Sequence, residues 1–179
     1  LKDEDRADEM IDPFGGRKDL EARLIRAVGE AEQRFQEDAL RMMRAARLAT
    51  TLDFKIEEKT AEAIQKNAEL LKEISQERIR DEFVKIVMAD RAVEGIELLR
   101  ELELLPYILP ELQEGYGVGQ NKHHIYTVWE HNLYALKYAV EQKWVEPLEA
   151  AMALVNSYDY LHLRRVQEAK QLEAQYQLK

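Results

Sequence analysis

The sequence predicts an all-α fold, a multi-helix array, on three observations. Hydrophobic residues make up 46% and charged residues 34% of the 179 positions, drawn largely from the helix formers Ala, Leu, Glu, Lys and Arg. Only 7 Gly and 4 Pro are present, and β-branched runs are few, so the chain lacks the punctuation that short strands and hairpins need. Apolar residues recur at helical spacing, as with Ile64, Ala68, Leu71 and Ile74 at i, i+4, i+7 and i+10. A chain of this length buries a sizeable core, as one compact domain or two small helical subdomains.

The elements follow in order. Residues 1–12 (LKDEDRADEMID) are acidic and aperiodic and run into a turn at Pro13, Phe14, Gly15 and Gly16. The stretch Leu20 to Val28 is equally a short helix or an extended segment, stopped by Gly29. A helical pattern spans about Phe35 to Thr51, and Asp53 with Phe54 breaks it. The next helix runs from about Glu57 to Ile74. Ser75 is placed as an N-cap, with Glu77 in the first turn of a helix whose inner face is Ile79, Phe83, Ile86 and Val87. That helix ends near Ala89. Another runs from about Ala92 to Leu104, stopped by Pro106, and Tyr107 to Leu112 reads as a Pro-bounded linker. GYGVGQNK (115–122) is the glycine-dense loop. Ile125, Trp129, Leu133, Leu136 and Val140 then mark a long amphipathic helix. Pro147 opens a last one toward Arg165, and the tail from Gln167 to Lys179 is polar.

The chain has no Cys, which excludes disulfides, thiolate metal sites and Cys nucleophiles; the cytoplasm is the expected compartment. No apolar run approaches the roughly 20 residues that cross a bilayer, and no membrane partner is expected. A formal charge of −9 argues against uniform coating of nucleic acid while leaving room for a local basic patch.

That patch is sought in EDALRMMRAARLA, residues 37–49. On one continuous helix Asp38 and Arg41, three apart, lie close on a face. Arg44 and Arg47 follow at the same spacing, each turned by about 60° from the one before. An Asp and an Arg at that distance present acceptors and donors to the edge of a nucleobase, and the remaining arginines meet phosphates. The plainer alternative is a set of intrahelical ion pairs. Other candidates have plain readings too. Asp3-Glu4-Asp5 is a solvated charge run, GGRK (15–18) lacks the spacing of a phosphate loop, and Arg164 and Arg165 are either a solvated helix end or contacts to an RNA backbone.

The order IDPFGG, DL, IR.VG, RF.EDALRM.RAAR.A, F.I, T..AI and IS.ERI..E..KI, from about residue 11 to 136, resembles the class II tRNA nucleotidyltransferases, the bacterial CCA-adding, A-adding and poly(A) polymerase family. The resemblance implies a neck and body region: residues 1–16 a connector from a head, 17–89 a nucleotide-selecting neck, and 90–179 a body or HD-like helical region. Glu37, Asp38 and Arg41 match the EDxxR motif, through which the family selects ATP and CTP by their Watson–Crick edges. Arg44 matches a neighbouring basic position. Glu77 and Arg78, in SQERI, look like supports for the nucleotide-binding helix, with a capped helix start as the plainer alternative.

The family's head carries a Gly-rich loop, a DxD pair that holds Mg²⁺ and an RRDF-type linker. None of these motifs occurs in the sequence, so the chain by itself is expected to be inactive, with no catalytic residue of its own. The tRNA acceptor end, ATP, CTP and the head of the same polypeptide are its implied partners. His123, His124 and His131 resemble the start of an HD subdomain, in which the match to His131 is a metal ligand. The adjacent His-Asp pair that such a site needs is absent, Asp159 and His162 being separated. A degenerate or truncated HD-like C-terminal helical part, without metal, is therefore expected. The competing functions are a non-catalytic helical RNA- or protein-binding module and, more weakly, an HD-type phosphohydrolase.

Overall fold

The computed structural model describes residues 11–119 and 126–141. The order is α1 (Gly16–Glu21), β1 (Leu24–Ile25), α2 (Ala31–Glu37), α3 (Leu40–Leu52), β2 (Lys55–Ile56), α4 (Glu58–Asn67), a 3₁₀ helix (Ala68–Glu73), α5 (Gln76–Val87), α6 (Ala92–Glu101), α7 (Leu105–Ile108), α8 (Pro110–Glu114) and α9 (Val128–Glu141). The all-α expectation holds. The one sheet among the described residues is a parallel pair of two-residue strands, with Leu24 opposite Lys55 and Ile25 opposite Ile56. The ambiguous Leu20 to Val28 stretch is thus extended where it meets the chain again after α3.

α3 is the central element, packed on α5 and α6, while α2 packs on α4 and α6 on α9. Its side chains Met42, Met43 and Ala46 are fully buried. They join one apolar cluster that runs from Phe35 through Ile64, Leu71, Ile86 and Leu99 to Leu136. Gly95 on α6 permits the closest approach. A Cβ there would stand 2.6 Å from the Ile86 Cγ2 and 2.8 Å from the Thr50 Cγ2.

Four boundaries differ from the periodicity reading. The helix expected over 35–51 is two helices broken at Asp38, whose φ of −154° and ψ of 102° are extended. The helix expected over 57–74 tightens to 3₁₀ after Asn67, whose amide donates back to the Ala63 carbonyl at 2.8 Å. α6 stops before Pro106 is reached: Glu103 adopts φ 58°, and the Leu104 and Glu103 N–H groups return to the Leu99 and Arg100 carbonyls, both at 3.0 Å, in a Schellman closure. The linker 107–112 is largely helical, because Pro106 and Pro110 sit in the first turns of α7 and α8, where a missing N–H costs nothing. Asp53 does end α3 as expected, in the left-handed region at φ 55°, with the Phe54 N–H on the Ala49 carbonyl at 3.0 Å. No helix among the described residues is long and apolar enough to cross a membrane.

Candidate functional site

The break between α2 and α3 decides what EDALR presents. Asp38 leaves the helical path, and its Oδ1 accepts the Leu40 N–H at 3.1 Å, so it acts as the cap of α3. Its carboxylate also receives the Arg78 guanidinium from the first turn of α5, at 3.2 Å to Oδ2 and 3.4 Å to Oδ1. The expected same-face pair of Asp38 and Arg41 on one helix is therefore corrected. Asp38 pairs across the fold with Arg78, and Arg41 pairs with Glu37.

Arg41 is pinned on one side only. Its Nη1 donates to the Glu37 Oε2 at 2.9 Å and to the Arg34 carbonyl at 3.2 Å. The other Glu37 oxygen lies 2.9 Å from the Arg34 Nη2. Nε and Nη2 of Arg41 carry no hydrogen bond among the described residues, and the side chain is 41% exposed. A guanidinium held at one nitrogen with its other edge unengaged has a defined direction and spare donors.

Arg44 and Arg47 differ sharply. Arg44 is half exposed, and its Nε lies 4.0 Å from the Glu82 Oε1, too far for a hydrogen bond. Arg47, expected to face RNA, instead turns into the α3 and α5 interface and donates to the Glu82 Oε2 at 2.6 Å. Glu82 is buried, and Lys85 reaches its other oxygen at 3.2 Å. Burial pushes the Glu82 carboxyl up, but the hydrogen bonds and charges of Arg47 and Lys85 outweigh it and hold the group below the usual glutamate range. Glu82 stands in the IS.ERI..E..KI pattern, but the sequence assigned it no role. Its signal is position: it lies three residues after Ile79 and four before Ile86, on the apolar face, where a carboxylate requires partners.

An open groove of about 300 Å³ runs between the segment after β1 and the α2 and α3 helices. Phe35, Ala45 and Leu48 line it, together with Arg26, Arg34, Arg41 and Arg44, and its surface is mainly apolar. Arg26 is neutralised, its Nε 3.0 Å from the Asp19 Oδ2 and its Nη1 2.7 Å from the Glu57 Oε1. Uncommitted positive charge in the groove thus comes mainly from Arg41 and Arg44. Glu77 is exposed in the first turn of α5, and Ser75 stands at its N-cap without a side-chain cap bond.

Among the described residues no group of three or more His, Cys, Asp or Glu side chains is placed to hold a metal ion. His131 lies on α9 with a buried, unpartnered Nδ1. His123, His124, Asp159, His162, Arg164, Arg165 and the Asp3-Glu4-Asp5 run lie outside the described residues.

The described residues form a helical segment with a cationic site at the α2 and α3 junction. Residues 53–115 match the family described as "Probable RNA and SrmB-binding site of polymerase A". The CCA-adding enzyme of Streptococcus thermophilus is 51% identical over 106 residues, 59% of this chain and 26% of that protein. That of Lactobacillus delbrueckii subsp. bulgaricus is 59% identical over 83 residues, 46% of this chain and 21% of that protein. The crystal structure of the Bacillus stearothermophilus CCA-adding enzyme in complex with CTP superposes with a TM-score of 0.56 at 37% identity, covering 78% of this chain and 36% of that one. A tRNA nucleotidyltransferase complexed with a primer tRNA and an incoming ATP analog gives a TM-score of 0.60 at 28% identity, covering 88% and 45%. Over the matched residues the chain is similar to tRNA nucleotidyltransferases, and it spans about a quarter of the length of the curated relatives it matches.

Proposed function

We propose that this chain is the nucleotide-selecting and tRNA-positioning part of a cytoplasmic tRNA nucleotidyltransferase that adds CMP and AMP to tRNA 3′ ends. The observation that carries the reading is that EDALR holds a braced acceptor and, three residues on, a half-free donor. Asp38 is fixed by the Leu40 N–H and by Arg78, while Arg41 is fixed by Glu37 and keeps Nε and Nη2 unengaged.

A carboxylate offers about four lone-pair sites. Two on Oδ1 and one on Oδ2 face Leu40 and Arg78, which leaves one on Oδ2. An exocyclic amine, N4 of cytosine or N6 of adenine, donates to that site, and Arg41 donates to the neighbouring ring nitrogen. Guanine and uracil carry a carbonyl where the amine would be, so Asp38 and the base would both present acceptors there. Glu37 and Arg78 act here as positioning residues, Arg44 meets the anionic end of the nucleotide, and Glu77 adds negative charge at the α5 N-terminus.

In-line nucleotidyl transfer uses two metal ions that stabilise the attacking and leaving oxygens. The described residues hold no cluster that fits such a site. In this reading Mg²⁺ belongs to a head domain of the same parent polypeptide, joined through residues 1–16. Residues 17–89 form the neck, and 90–179 the body with an HD-like part, which positions the acceptor end of tRNA. The test is nucleotide addition by the full-length protein carrying Asp38→Ala or Arg41→Ala. Loss of preference for CTP and ATP over UTP and GTP is expected. Wild-type preference in both variants would overturn the reading.

A further inference from the structure

We propose that Glu82 is a positioning residue that divides the work of the α3 arginines, holding Arg47 back in the helix interface and keeping Arg44 directed at the anionic end of a nucleoside triphosphate. The inference rests on the reading above and adds to it a residue 35 positions from its main partner in sequence.

The three cations around Glu82 are not equivalent. Arg47 makes a short charge-assisted hydrogen bond to Oε2 at 2.6 Å, and Lys85 makes a longer one to Oε1 at 3.2 Å. Arg44 stands beyond hydrogen-bond reach at 4.0 Å, close enough to be attracted and too far to be bonded. The carboxylate is 8% exposed, whereas Arg44 is 50% exposed. The attraction for Arg47 is weakly screened and that for the half-exposed Arg44 more strongly, so the single negative charge bonds Arg47 and biases Arg44. Arg44 and Arg47 are also three residues apart on α3, and without a shared counter-ion two like charges at that spacing repel. Glu82 therefore does two things at once: it satisfies Arg47, and it fixes the average direction of Arg44 without consuming its donors.

This arrangement makes opposite charge removals produce one defect. Neutralising Glu82 lets Arg44 and Arg47 splay apart. Neutralising Arg47 leaves Glu82 short of a partner, and Arg44 moves the remaining distance to bond with it. Either change withdraws Arg44 from the nucleotide, although neither altered side chain touches it. Removing both charges leaves Arg44 without its counter-ion and no better placed than in the single variants, so the two defects do not add.

The experiment measures KM and kcat for ATP and CTP addition to tRNA by the full-length protein and its Glu82→Gln, Arg47→Gln and doubly substituted forms. Each single variant is expected to raise KM about tenfold, the size of one lost charge-assisted contact, with kcat within about twofold. The double variant is expected to be no more impaired than the worse single one, and in an Arg44→Gln background neither substitution is expected to raise KM further, which a merely structural role would not produce. A thermal melt of each form establishes folding. If Glu82→Gln fails to fold, Arg47→Gln alone still decides, because an unchanged KM in that variant overturns the proposal. A further rise in KM on adding Glu82→Gln or Arg47→Gln to Arg44→Gln also overturns it. Failure here is separable from failure of the selecting role: if Asp38→Ala and Arg41→Ala lose base preference while Glu82→Gln keeps wild-type KM, only the positioning role of Glu82 is refuted.

Discussion

Asp38→Asn separates the two duties of Asp38, capping and base selection. The Leu40 N–H at 3.1 Å needs an acceptor, so the Asn side chain keeps its carbonyl oxygen there. That choice places its NH₂ group where Oδ2 stands, facing Arg78 and the proposed base edge. The cap survives, since Asn and Asp are near-equivalent N-caps. The ion pair with Arg78 is lost, but its partners are 25% and 48% exposed, so the loss is at most about 1 kcal/mol after solvent screening. A fall in melting temperature of about 2–4 °C is expected. The effect on selection is larger. A donor now meets the exocyclic amine of cytosine or adenine, and the mismatch costs about 1–3 kcal/mol, or about 5–150-fold in discrimination. The same donor suits the carbonyl of uracil or guanine. Single-turnover addition of each of the four nucleotides by the full-length variant measures this. A folded Asp38→Asn protein with wild-type ratios would show that Asp38 caps α3 and brings Arg78 to it, and reads no base.

Two further predictions concern stability. Gly95→Ala places a Cβ 2.6 Å from the Ile86 Cγ2 and 2.8 Å from the Thr50 Cγ2, at the junction of α3, α5 and α6. Overpacking of about 1–3 kcal/mol should outweigh a helix-propensity gain of about 1 kcal/mol, lowering the denaturation midpoint; a raised midpoint would contradict the tight contact. For pH, the Glu82 carboxyl titrates below its ordinary 4.5 because Arg47 and Lys85 outweigh its burial. The unfolded chain thus takes up that proton at higher pH than the folded one. The contribution is fully present above the ordinary value and is lost as pH falls through the lower, folded value. The stability gap between wild type and Glu82→Gln should therefore be constant near neutrality and shrink in acid. Urea unfolding at a series of pH values checks this, and a gap unchanged down to the acid limit would remove the charge from the explanation.

How much was legible in the sequence differs from residue to residue. The inner faces of α5 and α9 followed from spacing alone: Ile79, Phe83, Ile86, Trp129, Leu133 and Leu136 are all buried. The stop at Asp53 was legible because a short polar residue tolerates the left-handed conformation that closes α3. The break at Asp38 was not, because Phe35, Ala39, Leu40 and Met43 keep helical periodicity straight through it. Only the carboxylate capping the Leu40 N–H and its bond to Arg78 account for the chain leaving the helix there. Arg44 and Arg47 are indistinguishable by pattern, yet one is half exposed and the other is bonded to a buried carboxylate.

By itself, the sequence determined the helical class, the apolar faces that make the core and the spacing of the α3 arginines, because all three are local properties of a 3.6-residue repeat. Tertiary structure alone decided which charges pair across the fold. Arg78 finds Asp38 across 40 positions and Glu82 finds Arg47 across 35. Coulomb attraction acts through space, and these partners meet only because α3 and α5 bury their apolar faces against each other.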